Sequence, residues 1–294
     1  MPSTLSAFAD EAGPSCDEQI AGLQAAGLHY IDIRGIDGHN ITVLPLEQAK
    51  IVRQKLDAAK ITCAMFGSPL GKIDITEDVQ IDLDKLKHLG TLRAILGCDA
   101  VRIFSYYNKT GKDHDAFRKE SIARLRQLSA LARDLGLVLY HENESHIFGD
   151  KSDDVLTIAE ELRTSVNGPF RTIFDFGNYH AGGEDPWECW LKLRGVTDAI
   201  HIKDNSRTAD GQMHHTPAGL GGGKIPQILA DAVVRDWAGP LSVEPHLQHS
   251  AAVAATGPSG VPNQAYSAMS AAECFKIACR AAKGVLATAG VKVV

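Results

Sequence analysis

Short runs of β-branched and other apolar residues alternate along the chain with longer stretches whose apolar positions recur every three or four residues. That alternation is the pattern of repeated β-α units around a parallel sheet. Eight runs read as strands: Ser6–Ala9, Tyr30–Arg34, Ile61–Phe66, Ala100–Phe104, Leu137–Glu142, Thr172–Asp175, Ala199–Lys203 and Leu241–Glu244. The segments between them carry helix signals. Ser15-Cys16-Asp17-Glu18 has the S-x-x-E form of a capping box, and Ile20 and Leu23 then share a helical face before Gly27. From about Asp115 to Leu135, the residues Ile122, Leu125, Leu128, Leu131 and Leu135 fall at intervals of three and four, and Gly136 stops the helix.

An open, doubly wound sheet would alternate in the same way. Eight units within about 245 of the 294 residues favour closure into a (β/α)8 TIM barrel. No Pro/Gly linker divides the chain, so a single TIM-barrel domain over residues 1–294 is expected. The stretch Gln248–Tyr266, rich in Ala, Ser, Gly and Pro, is long for a structureless loop. It reads as a lid, an oligomer contact or a surface loop without function.

Size and composition narrow the chemistry. A chain of this length buries roughly 75% of the surface it exposes unfolded, so its core needs neither disulfides nor a structural metal. Any bound metal is then functional. The net charge of −6 offers no attraction to nucleic acid. Cys16, Cys63, Cys98, Cys189, Cys274 and Cys279 include no C-x-x-C pair and read as reduced, mostly buried thiols. Met1 to Asp10 lacks the basic start and apolar run of a signal peptide, and no run of about 18 apolar residues occurs. A cytoplasmic location without membrane contact is expected.

In a parallel barrel every strand delivers its C-terminal end to one face. Four consecutive strands end in Tyr140-His141-Glu142-Asn143-Glu144, Phe174-Asp175, His201-Ile202-Lys203-Asp204 and Val243-Glu244-Pro245-His246. They thus offer carboxylate, carboxylate, imidazole and carboxylate. Three carboxylates in one cleft repel one another unless a cation joins them. Glu142, Asp175, His201 and Glu244 therefore read as ligands of one divalent metal ion. Three oxygens and one nitrogen form a hard donor set that suits Mn²⁺, Mg²⁺ or Co²⁺, with Mn²⁺ favoured, and admits Zn²⁺. Lys203, two residues beyond His201, points into the barrel by the period of two, to contact substrate or to neutralise a carboxylate such as Glu142. Asp10, Glu11, Arg34, Lys72 and Arg102 are polar strand-end residues that read as buried ion pairs. His141 faces away from the metal, and His214, His215 and His246 lie in loops, so none is assigned as a ligand.

These runs resemble the xylose-isomerase-like barrel superfamily, especially its ketose 3-epimerase branch, which includes the D-tagatose and D-psicose 3-epimerases. The likeness rests on the Glu142-Asn143 strand ending, Phe174-Asp175-Phe176-Gly177-Asn178, His201-Ile202-Lys203-Asp204 and Ser242-Val243-Glu244-Pro245-His246. It implies that Glu142 and Glu244 ligate the metal and also act as the acid/base pair on opposite faces of a sugar. It further implies that Arg207 holds substrate oxygens and that the protein is a homo-oligomer. Asn178 departs from the branch, whose members carry a substrate-steering histidine there, so the identity of the substrate is open at this position. Pro217-Ala218-Gly219-Leu220-Gly221-Gly222-Gly223-Lys224-Ile225-Pro226 resembles the family's glycine loop after strand seven. Its amides read either as a phosphate cradle or as a tight turn into the next helix.

The expected function is that of a metal-dependent sugar or sugar phosphate isomerase or epimerase. One glutamate removes a proton beside a carbonyl, through a metal-stabilised enediolate, and the other returns it. The alternative is a metal-dependent lyase or dehydratase acting on a keto-sugar, keto-glycoside or keto-cyclitol. A metal-dependent phosphoesterase and a non-catalytic sugar binder are further readings, the first disfavoured by the negative charge.

Overall fold

In the computed structural model, which describes residues 2–164, 168–248, 254 and 261–294, eight parallel strands close on themselves. They are β1 (Leu5–Phe8), β2 (Tyr30–Ile33), β5 (Thr62–Phe66), β6 (Ala100–Ile103), β7 (Val138–Glu142), β8 (Phe170–Asp175), β9 (Ala199–Ile202) and β12 (Leu241–Val243). Their order around the barrel is β1-β12-β9-β8-β7-β6-β5-β2. The (β/α)8 architecture expected from the sequence is what forms, with strand ends shifted by one or two residues. Two antiparallel ribbons are additional: β3 (Gly35–Ile36) with β4 (His39–Asn40), and β10 (Asp204–Arg207) with β11 (Met213–Thr216).

Helices α1 (Cys16–Ala26), α2 (Leu46–Ala59), α3 (Gln80–Leu96), α4 (His114–Leu135), α5 (Ser152–Leu162), α6 (Phe176–Ala181), α7 (Pro186–Leu193), α8 (Ile225–Val234) and α9 (Ala271–Ala289) pack outside. Both sequence-level helix signals hold. Ser15 and Glu18 form the reciprocal capping box of α1, which Gly27 ends at φ 62°. On α4, Ile122, Leu125 and Leu128 are buried, and Gly136 closes the helix at φ 68°.

Strand alternation decides what lines the barrel. On β12, Leu241 and Val243 join the apolar layer under the helices, whereas Ser242 meets Ser6 of β1 (2.9 Å) and Asp32 of β2 inside. On β9, Ile200 and Ile202 pack outward while His201 reaches Glu142 across the interior. The inward set is polar toward the C-terminal mouth. Below it, Ser6 Oγ donates to Asp32 Oδ2 (2.9 Å) and forms part of a buried hydrogen-bonded layer.

All six cysteines are buried and unpaired. Among the described residues no helix is long and apolar enough to cross a membrane. The anticipated lid or oligomer contact at Gln248–Tyr266 falls mostly outside the described residues.

Candidate metal centre

Each of the four expected ligands lies at or next to the C-terminal end of a barrel strand, and register brings them together. Asp175 pairs with His201 across β8 and β9, and Ser242, two residues before Glu244, pairs with His201 across β12 and β9. Glu142, Asp175, His201 and Glu244 are each at most 2% exposed, and each offers a donor atom within 4.8 Å of the others'. Ligands held at roughly 2.1–2.4 Å from one ion stand at most about 4.2–4.8 Å apart, so the set matches a single ion.

Two atoms lack hydrogen-bond partners: His201 Nε2 and Asp175 Oδ2. The latter is 3.2 Å from Lys203 Nζ, an ion pair outside hydrogen-bond geometry. His201 turns Nδ1 toward the carboxylates, 2.8 Å from Glu142 Oε1 and 4.0 Å from Glu244 Oε2. The donor types, their spacing and the Asp175 oxygen left without a hydrogen bond fit a divalent cation.

Basic groups hold the carboxylates in place. Arg102 Nη1 bridges Glu142 Oε2 (3.2 Å) and Glu244 Oε1 (3.3 Å). Arg34 Nη1 reaches the same Glu244 oxygen (3.3 Å), while its other nitrogens grip Asp10 (2.9 Å) and Glu11 (3.2 Å). Both guanidiniums pack against the ring of Phe8, that of Arg34 at 5.1 Å and that of Arg102 at 4.8 Å from its centroid. Lys203 Nζ donates to Glu244 Oε2 (2.7 Å).

Protonation follows from these partners. Burial disfavours the Glu244 carboxylate, yet Lys203, His246 and Arg102 outweigh it and hold the pKa well below the usual range. Burial acts likewise on Glu142, and there His201 and Arg102 prevail over repulsion from Glu244. For Asp175 burial wins over Lys203 and pushes the pKa up. The contrast arises because Lys203 is nearer Glu244, which also has Arg102 and His246 beside it, whereas Asp175 feels the charges of Glu142 and Glu244. His201 is opposed by burial but raised by Glu142's charge and hydrogen bond.

Asn178 is buried on α6. Its amide donates to the Asn143 carbonyl (2.8 Å), and its backbone N–H donates to Asp175 Oδ1 (2.7 Å). Asn143 Oδ1 in turn accepts from Asp175 N–H (2.9 Å). Asn178 therefore braces two ligand-bearing strand ends. Arg207 is exposed on the β10–β11 ribbon, donating to the Gly211 carbonyl (3.3 Å), and lies outside the buried cluster. His141 faces away, as expected, 3.0 Å from Ser105 Oγ.

His246 is closer to the site than its place in a loop suggested. Glu11 accepts from its backbone N–H (2.6 Å) and lies 2.8 Å from Nδ1, and Nε2 is 3.8 Å from Glu244 Oε1. Its backbone holds a left-handed φ of 49°, uncommon for a residue with a side chain. The available signal was its two-residue offset from Glu244, together with a glutamate three residues past the end of the adjacent strand. The glycine loop also differs from one of its two readings. The N–H groups of Gly219 (2.9 Å), Gly221 (3.0 Å) and Gly223 (2.9 Å) all donate to the carboxylate of Asp204.

Solved structures share this architecture at low identity. The probable 3-DHS dehydratase AsbF of Bacillus anthracis, involved in petrobactin synthesis, superposes with a TM-score of 0.70 at 16% identity, over 96% of this chain and 99% of that one. D-allulose 3-epimerase from Methylomonas sp., in complex with D-allulose, gives 0.67 at 16% identity, over 98% and 97%. A xylose isomerase-like TIM barrel protein of Mycobacterium smegmatis, in complex with magnesium, gives 0.67 at 16%, over 98% and 97%. No curated protein matches the chain. The sequence profile of the xylose isomerase-like TIM barrel family matches residues 20–265, a span that includes all eight barrel strands but the first and all four clustered ligands. By that match the chain belongs to the xylose isomerase-like TIM barrel family.

Proposed function

We propose that the protein is a metal-dependent isomerase or epimerase of a small carbohydrate, with Glu142 and Glu244 as its acid/base pair. The carrying observation is the convergence of Glu142, Asp175, His201 and Glu244, buried, at one end of the barrel. A divalent cation held by these four, with Mn²⁺ favoured, would polarise adjacent carbonyl and hydroxyl oxygens of a ketose and acidify the neighbouring C–H.

The chain's own groups supply the proton transfers. Glu142 and Glu244 are both kept ionised by basic neighbours, so each can accept a proton at a carboxylate oxygen. Arg102, bonded to both, sets their mutual position. One glutamate takes the C–H proton, and the other, after taking up a proton from a substrate hydroxyl or solvent, delivers one to the opposite face in epimerisation or to the adjacent carbon in isomerisation, while the first releases its proton to the hydroxyl or solvent. Lys203 offers its ammonium to a substrate oxygen, and Arg207 serves from the rim. Asn178 acts by bracing the strand ends. The likeness to D-allulose 3-epimerase supports the carbohydrate reading.

The likeness to AsbF supports a second reading, in which the same proton abstraction leads to loss of water. Metal analysis of the purified protein and of His201→Ala tests the centre. One divalent ion per chain, lost in the variant, is expected, and absence of metal from both after reloading sinks the proposal. Deuterium incorporation into ketoses in D2O then tests proton transfer, and a dehydrated product would select the lyase.

A further inference from the structure

TIM barrels commonly hold a substrate phosphate with the loops after strands seven and eight and the N-terminus of a helix there, where free backbone N–H groups converge on an anion. In this chain β9 is the seventh barrel strand. The loop leading from it into α8 is rich in glycine, as such a cradle requires. The cradle exists, and its anion is part of the protein.

Asp204 accepts four backbone N–H bonds: Gly221 (3.0 Å) and Gly219 (2.9 Å) on Oδ2, and Gly223 (2.9 Å) and its neighbour Asn205 (3.0 Å) on Oδ1. The approach is close enough that a Cβ on Gly221 would overlap the Asp204 carboxylate and the Asn205 carbonyl. Gly222 is bound as well, its N–H donating to the Asn205 carbonyl (2.8 Å). The loop's glycines have thus folded their amides around an internal carboxylate, and Asp204 is only 1% exposed.

We propose that Asp204 is a built-in anion filling the barrel's phosphate place, and that the substrate is consequently an unphosphorylated polyhydroxy carbonyl compound. This rests on the carbohydrate reading of the metal centre and narrows its substrate class.

Two measurements test the idea. The first is the thermal stability of the metal-loaded wild type and of Asp204→Gly in inorganic phosphate, against chloride of equal ionic strength. Wild type should show no phosphate-specific rise in Tm, and Asp204→Gly should gain one, because the vacated cradle accepts the ion. A phosphate-specific rise in wild type, or a folded Asp204→Gly that gains none, overturns the proposal. Should Asp204→Gly fail to fold, the wild-type result decides. The second is deuterium exchange into D-fructose and D-fructose 6-phosphate, with exchange into the free ketose expected to be at least about tenfold faster. Faster exchange into the phosphate overturns the inference. If neither ketose exchanges and other ketoses also fail, the isomerase reading falls, and the phosphate-stability arm alone decides the role of Asp204.

Discussion

Lys203 and Glu244 form a buried ion pair of 2.7 Å between neighbouring strand ends, with the ammonium also 3.2 Å from Asp175. The protein's own cation thus lies between two of the four residues read as metal ligands. In the metal-free protein it relieves their repulsion, and toward an incoming ion it is a competitor.

Lys203→Met should therefore lower the Tm of EDTA-treated protein, the loss of one partner of a buried pair costing about 3–5 kcal/mol. The same variant should bind Mn²⁺ more tightly, by about tenfold, equivalent to about 1.4 kcal/mol. Calorimetric titration and melting curves with and without metal check both. A variant that binds Mn²⁺ more weakly would show that the ammonium does not compete.

Glu142→Gln and Glu244→Gln should each slow deuterium exchange into substrate by at least about a hundredfold, the usual range for a positioned acid or base. Metal content measured on the same samples separates loss of the base from loss of the ion. Full turnover in metal-replete Glu244→Gln would end its assignment.

Arg34 makes two 2.9 Å bonds to Asp10 and further contacts to Glu11 and Glu244. Replacing it with leucine leaves Asp10 without its ion-pair partner in the interior and should cost about 3–5 kcal/mol in urea unfolding. Adding Asp10→Leu should restore part of that loss. Simple additivity of the two changes would contradict direct coupling.

Asp82 is buried, accepts from Gly71 N–H (2.9 Å), and has Lys85, 3.6 Å away, as its ion-pair partner among the described residues. Burial raises its pKa above the ordinary carboxyl value despite those contacts. The folded state therefore holds the proton more tightly than the unfolded state, and stability falls as pH rises through the folded pKa. Asp82→Asn should raise the Tm at neutral pH, with the gain shrinking as pH drops into the carboxyl range. A gain independent of pH would exclude a charge effect.

Asn178→Ala removes the bond to the Asn143 carbonyl. A stability loss of about 1 kcal/mol is expected, with metal affinity weaker by about tenfold through the loosened Asp175 segment. Unchanged affinity would reduce Asn178 to a local packing role.

The barrel was legible in the sequence from the count of eight β-α units, and its four acidic or imidazole strand ends from local periodicity. A period of two puts Ser242 and Glu244, or His201 and Lys203, on one side of a strand, and parallel strands carry their ends to one face. The β10–β11 ribbon was not legible, since Asp204-Asn205-Ser206-Arg207 and Met213-His214-His215-Thr216 carry little strand pattern and pair through their backbones. His246 was set aside for a related reason. Its position depends on Glu11, which is 235 residues away in sequence and next to it only once β1 meets β12.

The sequence alone determined the alternating elements, the eight units that favour a barrel over an open sheet, and the residue types at the strand ends, because side-chain period and strand direction are properties of the local chain. Tertiary structure decided what each of those charges meets. It set Arg102 between the two glutamates, Lys203 between Glu244 and Asp175, and the amides of the glycine loop around Asp204. Such pairings turn on distances of a few ångströms between segments far apart in sequence, and closure of the barrel is what establishes them.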